Sequence, residues 1–169
     1  MKKETYIKMT QPFRHNAKAG RALHILNKIL TYSIFIVYPF LLLYLLCHHD
    51  MILVRAIIVP LFSFIMVSIF RYIVNRKRPY EFFEVSPVIN KDTKGKSFPS
   101  RHVFSAFVIS MTFFYCLPRS QLSVVVIGIM FIFSSLLAII RVISGVHFIS
   151  DVIAGALVGI VAGIIGFSI

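Results

Sequence analysis

Five apolar stretches constrain this 169-residue chain more than any other feature, because each is long enough to cross a lipid bilayer. A spanning helix needs roughly 20 predominantly apolar residues. The candidates cover residues 29–47, 51–73, 102–118, 121–140 and 148–168. Hydrophobic residues make up 58% of the chain and charged residues only 14%. A soluble domain of this length has no core large enough to hide so much apolar surface, so part of its solvent must be lipid. The expected architecture is an all-α integral membrane bundle of about five transmembrane helices, placed as a multi-pass protein in the cell membrane.

The charge is concentrated. The net charge is +12, and Lys2, Lys3, Lys8, Arg14, Lys18, Arg21 and Lys28 fall within residues 1–28. A second group, Arg76, Lys77, Arg78, Lys91, Lys94, Lys96 and Arg101, falls within residues 75–101. Short connections at 48–50 and 118–120 put one pair of turns on one side of the membrane. The N-terminal segment, the long loop 75–99 and the turn at Gly145 then share the other side, which carries nearly all the charge. Such a face attracts anionic headgroups or phosphates. Nucleic acid is set aside as a partner, since no basic soluble domain is present. The positive-inside count favours a cytoplasmic position for this face.

Residues 15–28 mix Leu23, Ile25 and Leu26 with Arg21, His24 and Lys28, the pattern of an amphipathic helix lying on the membrane surface. The organisation read from this is a basic amphipathic segment over 1–28 and a membrane domain over 29–169. Gly155, Gly159 and Gly163 recur every four residues in the last helix, a spacing that lets helices approach closely. Asp151 continues that stripe one turn earlier, so its face should point into the bundle.

Ionisable residues at membrane helices are costly and need a reason. Three groups stand out, all on the charged side. The first runs from Arg71 to Pro79. If the helix continues that far, Arg71 and Arg78, seven residues apart, share one face, where planar guanidinium groups suit phosphate oxygens. A basic anchor at the membrane edge is the competing reading. The second is Ser97-Phe98-Pro99-Ser100-Arg101-His102, opening the third span. A helix N-terminus favours an anion, and His102 is placed to give a proton to a leaving oxygen. The third runs from Arg141 to Asp151. His147 and Asp151 are four apart, and a carboxylate on one imidazole nitrogen leaves the other free and basic. Together the groups supply an anion cradle, an activated nucleophile and a proton donor, the parts of a phosphoryl transfer.

The Arg71–Arg78-Pro79 spacing, the Pro99-Ser100-x-His102 run and the Arg141-x5-His147-x3-Asp151 run resemble the three signature motifs of the type 2 phosphatidic acid phosphatase superfamily, in the right order over residues 71–151. Two positions depart from the commonest pattern. Arg71 stands where Lys is usual, and Arg101 where Gly usually precedes the histidine. Many bacterial members have six helices, so one helix would be missing here. The resemblance implies that His147 attacks phosphorus and becomes a phosphohistidine, that Asp151 orients it, and that His102 protonates the leaving oxygen and then activates water. It implies phosphate binding by Arg71, Arg78, Ser100, Arg101 and Arg141, with no metal and no cofactor.

The function expected is a lipid phosphate or diphosphate phosphatase whose partners are a lipid phosphate substrate and membrane lipids. Undecaprenyl diphosphate, phosphatidylglycerophosphate and phosphatidic acid all fit. A non-enzymatic transporter is the rival of another class, but it needs polar residues at the bilayer midplane, and here they gather at one end. A haloperoxidase holding vanadate in the same cradle is a further alternative by kinship. Glu81, Glu84 and Asp92 read as solvated loop charges. Lys91, Lys94 and Lys96 read the same way, with attraction of anionic headgroups as the other possibility.

Overall fold

The computed structural model describes residues 2–49, 51–89 and 91–169. All regular structure among them is helical: α1 (Lys3–His15), α2 (Ala17–Cys47), α3 (Leu53–Val74), α4 (Pro79–Phe83), α5 (Arg101–Cys116), α6 (Gln121–Ile143) and α7 (Ile149–Ser168). Four segments, beginning at Ala17, Leu53, Gln121 and Ile149, are long and apolar enough to cross a membrane. Their outward faces carry large apolar side chains such as Phe40, Phe62, Leu122 and Leu157, all exposed in the isolated chain. A continuous apolar exterior is stable only against hydrocarbon.

The third expected span, α5, differs from the others. It has 16 residues, which at about 1.5 Å rise each is about 24 Å, short of a hydrocarbon core of about 30 Å. It does not have to meet lipid on all sides, because residues 103–113 are buried without interruption. α2, α3, α6 and α7 all pack on it. Two of its buried hydroxyls are satisfied locally: Ser110 and Thr112 donate to the carbonyls of Ala106 and Val108, each at 2.9 Å, and Ser110 Oγ lies 3.0 Å from Ser134 Oγ. Both hydroxyls are thus accommodated within the apolar core by the carbonyls of their own helix.

The glycine stripe of α7 is what brings α5 so close. A Cβ at Gly155 would lie 2.7 Å from the Ser100 carbonyl oxygen, and one at Gly159 would lie 2.7 Å from that of Phe104. Gly163 meets the Met111 side chain in the same way. The small-residue spacing therefore sets the α5–α7 interface, and with it the distance between the second and third motifs.

The N-terminal region differs from the sequence reading. The amphipathic helix lies earlier, in α1, and residues 17–28 are the first turns of α2, which continues to Cys47 with no break at 28/29. Asn16 ends α1 and starts α2: its side chain accepts the N–H groups of Lys18 and Ala19 at 3.0 and 3.2 Å. α1 docks by burying Tyr6 and Thr10. The Tyr6 ring packs against Phe83, and its hydroxyl donates to the carbonyls of Gly145 and Val85, both at 3.3 Å. The N-terminal segment, the long loop and the Gly145 turn do share one end of the bundle.

Candidate active site

At that end three pieces of chain are tied together by backbone hydrogen bonds. α3 stops at Val74 because Asn75 takes a left-handed conformation, φ 40°, and caps the helix. The expected continuation to Arg78 does not occur, so Arg71 and Arg78 do not share a helical face. They meet instead because the chain turns back. Arg78 becomes the residue preceding α4, with Pro79 opening that helix. Glu81, read from the sequence as a solvated charge, holds this turn: its carboxylate accepts the N–H of Arg78 at 2.8 Å and of Gly95 at 2.7 Å. The loop then returns to α3, with Ser97 N–H donating to the Arg76 carbonyl at 2.9 Å.

The second and third motifs are joined directly. Ser100 N–H donates to the Asp151 carbonyl at 2.8 Å, and His147 N–H to the Arg141 carbonyl at 3.3 Å. Gly145, at φ 75°, makes the turn between α6 and α7, and a Cβ there would strike the Tyr6 hydroxyl at 2.6 Å.

These elements enclose a cavity of about 410 Å³ whose walls include Arg71, Arg78, Lys91, Arg101, His102 and His147. The two histidines thus face one space, although they belong to α5 and to the α6–α7 turn. His147 is 1% exposed. Its Nδ1 lies 3.5 Å from Asp151 Oδ2 and 3.4 Å from Ser97 Oγ, which leaves Nε2 as the ring nitrogen not engaged by these groups. Burial, with Arg141 and Arg78 adding to it, holds this imidazole well below the ordinary histidine range, so it is neutral and its free nitrogen carries a lone pair.

Asp151 is fully buried and held on every side. Arg76 Nη1 lies 2.8 Å from its Oδ1, while Oδ2 accepts the Ser97 hydroxyl and the Phe148 N–H, the latter at 2.9 Å. The Arg76 guanidinium also stacks 4.5 Å from the Phe148 ring centroid. Sequence reasoning missed both Arg76 and Ser97. Arg76 is the first of three consecutive cations, and nothing in the sequence separates the one that turns inward toward the carboxylate from its neighbours. Ser97 lies inside the quoted second run but without a role.

The cations divide by what they already hold. Arg71 is committed to the loop: it donates to the carbonyls of Lys96, Ser97 and Pro99 while one side lines the cavity. Arg78 donates to Gly95 O at 3.0 Å and to Val146 O at 3.3 Å. Arg141 is 3% exposed and, among the described residues, reaches only Asn27 Oδ1, at 3.3 Å, with Nε and Nη2 buried and unpartnered. The Ser100 hydroxyl is likewise buried and unpartnered. Unpaired buried donors are costly, and an anion taking hydrogen bonds from them offsets that cost. Arg101, in the position where glycine is usual, is exposed at the rim with its guanidinium 5.3 Å from the Phe64 ring centroid. Among the described residues, no group of three or more His, Cys, Asp or Glu is placed to share a metal ion.

The fold and site define a helical membrane protein with a polycationic cavity at one end of its bundle. A family model described as the PAP2 superfamily matches residues 51–169, and the chain belongs to that superfamily. Its fold resembles the crystal structure of LpxE from Aquifex aeolicus, with TM-score 0.75 and 24% identity, over 98% of this chain and 94% of that one. It also resembles a transmembrane PAP2-type phosphatidylglycerolphosphate phosphatase from Bacillus subtilis, with TM-score 0.72 and 18% identity, over 96% and 83% of the two chains. A comparison with curated proteins gave no match. The shared fold makes this a multi-pass membrane protein.

Proposed function

We propose that this protein is a metal-independent lipid phosphatase of the cell membrane, acting through a phosphohistidine. The observation that carries the reading is the placement of His147: neutral, backed by a buried carboxylate at 3.5 Å, and facing His102 in a cavity walled by arginines. His147 Nε2 forms a bond to phosphorus as the bond from phosphorus to the leaving oxygen breaks. Asp151 steadies the imidazole through Nδ1 as positive charge grows on the ring. His102 gives its proton to the leaving oxygen. In the second step His102 takes a proton from water, the water oxygen attacks phosphorus, the P–N bond breaks, and inorganic phosphate leaves. Arg78, Arg141 and Ser100 direct donors at the phosphoryl oxygens, with Arg71 behind them. Arg101 joins from the rim.

A lipid is favoured over a soluble ester by a second feature. An apolar groove of about 300 Å³ runs between α2, α3 and α5, lined by Phe35, Leu61, Phe64, Ser105 and Val108 among others. The same faces of α3 and α5 line both spaces: Leu61 and Phe64 below Ser68 and Arg71, and Ser105 and Val108 below Arg101 and His102. A lipid with its tail along this groove presents its phosphate to the cavity. One of the two solved structures that the fold resembles is named as a phosphatidylglycerolphosphate phosphatase, which agrees with this reading.

The test is phosphate release from lipid phosphates by purified protein in detergent, with and without EDTA. Release that survives EDTA and disappears in His147→Ala supports the reading. Full activity in His147→Ala, or abolition by EDTA with rescue by added metal, contradicts it.

A further inference from the structure

The cavity holds more positive charge than one phosphate needs, and the surplus has a definite place. Arg78 lines the cavity with the two histidines, Arg141 and Ser100 keep buried donors with no partner among the described residues, and Lys91 comes from the loop between α4 and α5. Lys91 is half-buried and lines the cavity, and no hydrogen bond or ion pair joins its ammonium to any described residue. Of the carboxylates nearby, Glu81 is engaged with backbone N–H groups and Asp151 with Arg76, Ser97 and Phe148, while Asp92, next in sequence, is exposed and makes no ion pair with Lys91. Burial, together with Arg141, Arg78, Arg101 and Arg71, pulls the Lys91 ammonium down to about 8. A cation kept half-buried among four guanidinium groups is destabilised unless an anion joins it.

Its neighbours in sequence behave differently. Lys94 is exposed and lines a separate depression with Asn75, Lys77, Glu81 and Gly95. Lys96 lies at the rim, its ammonium 4.7 Å from the Tyr72 ring centroid. Of the three loop lysines, Lys91 is the one that is both inside the cavity and without a partner.

We propose that Lys91 is a specificity-determining residue that binds a second phosphoryl group of the substrate, next to the one transferred to His147. This rests on the phosphatase reading above and narrows it to lipids carrying two phosphoryl groups, whether as a diphosphate or as two phosphates on one headgroup. Lys96 and Arg101 extend the same basic wall toward the rim.

Binding of inorganic pyrophosphate and of orthophosphate to the purified protein in detergent tests the subsite without turnover. Wild type binds pyrophosphate more tightly than orthophosphate. Lys91→Ala weakens pyrophosphate roughly 10- to 100-fold, as for loss of one charge-assisted contact, and leaves orthophosphate within about threefold. Lys91→Arg retains the preference, and Lys94→Ala changes neither. Equal weakening of both anions, or an unchanged preference in Lys91→Ala, overturns the assignment. Turnover then separates the two sources of the second group. Farnesyl diphosphate against farnesyl monophosphate tests the diphosphate, and phosphatidylglycerophosphate against phosphatidic acid tests the spaced pair. The pair whose kcat/KM ratio collapses in Lys91→Ala identifies the arrangement, and collapse of neither overturns the substrate claim. Absence of all hydrolysis with the pyrophosphate preference intact refutes the phosphatase reading and leaves the anion subsite standing.

Discussion

The two ends of the helical bundle enclose cavities of opposite character. At the end formed by the α5–α6 turn, a space of about 780 Å³ is lined by Phe114, Tyr115, Leu117 and Val124, with Arg119 as the one charged residue in its wall. At the other end a space of about half that volume, 410 Å³, gathers Arg71, Arg78, Lys91, Lys96 and Arg101 around two histidines. Among the described residues, the wall of the larger cavity holds no histidine, no carboxylate and no buried donor without a partner. The smaller one has Arg141 and Ser100 behind it with exactly that deficit of partners. Size therefore says little about where chemistry occurs in this molecule. Buried charge that the protein does not itself neutralise says much more, because keeping it costs stability unless a ligand joins it.

Substitutions rank the contributions to that contrast. The largest effect is expected from His147→Ala, which removes the proposed nucleophile and should lower kcat on the order of 10⁴-fold, read as phosphate release at saturating substrate. Arg141→Ala should follow, at about 10²- to 10³-fold in kcat/KM, since it removes unpartnered buried donors that the proposed mechanism directs at the phosphoryl group. Arg76→Ala acts one layer out. It frees Asp151 from its ion pair while leaving the cavity wall unchanged, so kcat should fall about 10- to 100-fold with KM nearly constant. Arg119→Ala, in the larger cavity, should leave both parameters within about twofold, the usual outcome for an exposed cation away from any network. A large loss of turnover in Arg119→Ala would break the comparison.

Much of this was legible in the sequence for a simple reason. Lipid exposure imposes long apolar runs, and the residues that interrupt them carry information because each is expensive. Thus His102, His147, Asp151 and Arg141 stood out, and the Gly155–Gly159–Gly163 spacing announced the close α5–α7 contact. What was hidden lies where local pattern does not decide geometry. The end of α3 depends on Asn75 turning left-handed, so the meeting of Arg71 and Arg78 comes from a loop and not from a shared helical face. Glu81 looked solvated because its partners are backbone N–H groups, which no side-chain pattern reveals. The helix break at Asn16 moved the amphipathic segment to α1, since a polar side chain capping its own downstream N–H groups outweighs the apolar periodicity across it. Arg76 and Lys91 were indistinguishable from their basic neighbours until folding turned them inward.

The account rests on a covalent bond between phosphorus and the His147 imidazole. Mixing His102→Ala protein with a lipid phosphate, quenching in alkali and mapping the modification by mass spectrometry tests this directly, because the substitution removes the group proposed to activate water for the second step. The account predicts a phosphoryl group, stable in alkali and lost in acid, on the peptide containing His147 and absent when His147 is also replaced by alanine. Turnover by the wild type with no phosphorylated His147 in this trap, or with the label on a different residue, would contradict it.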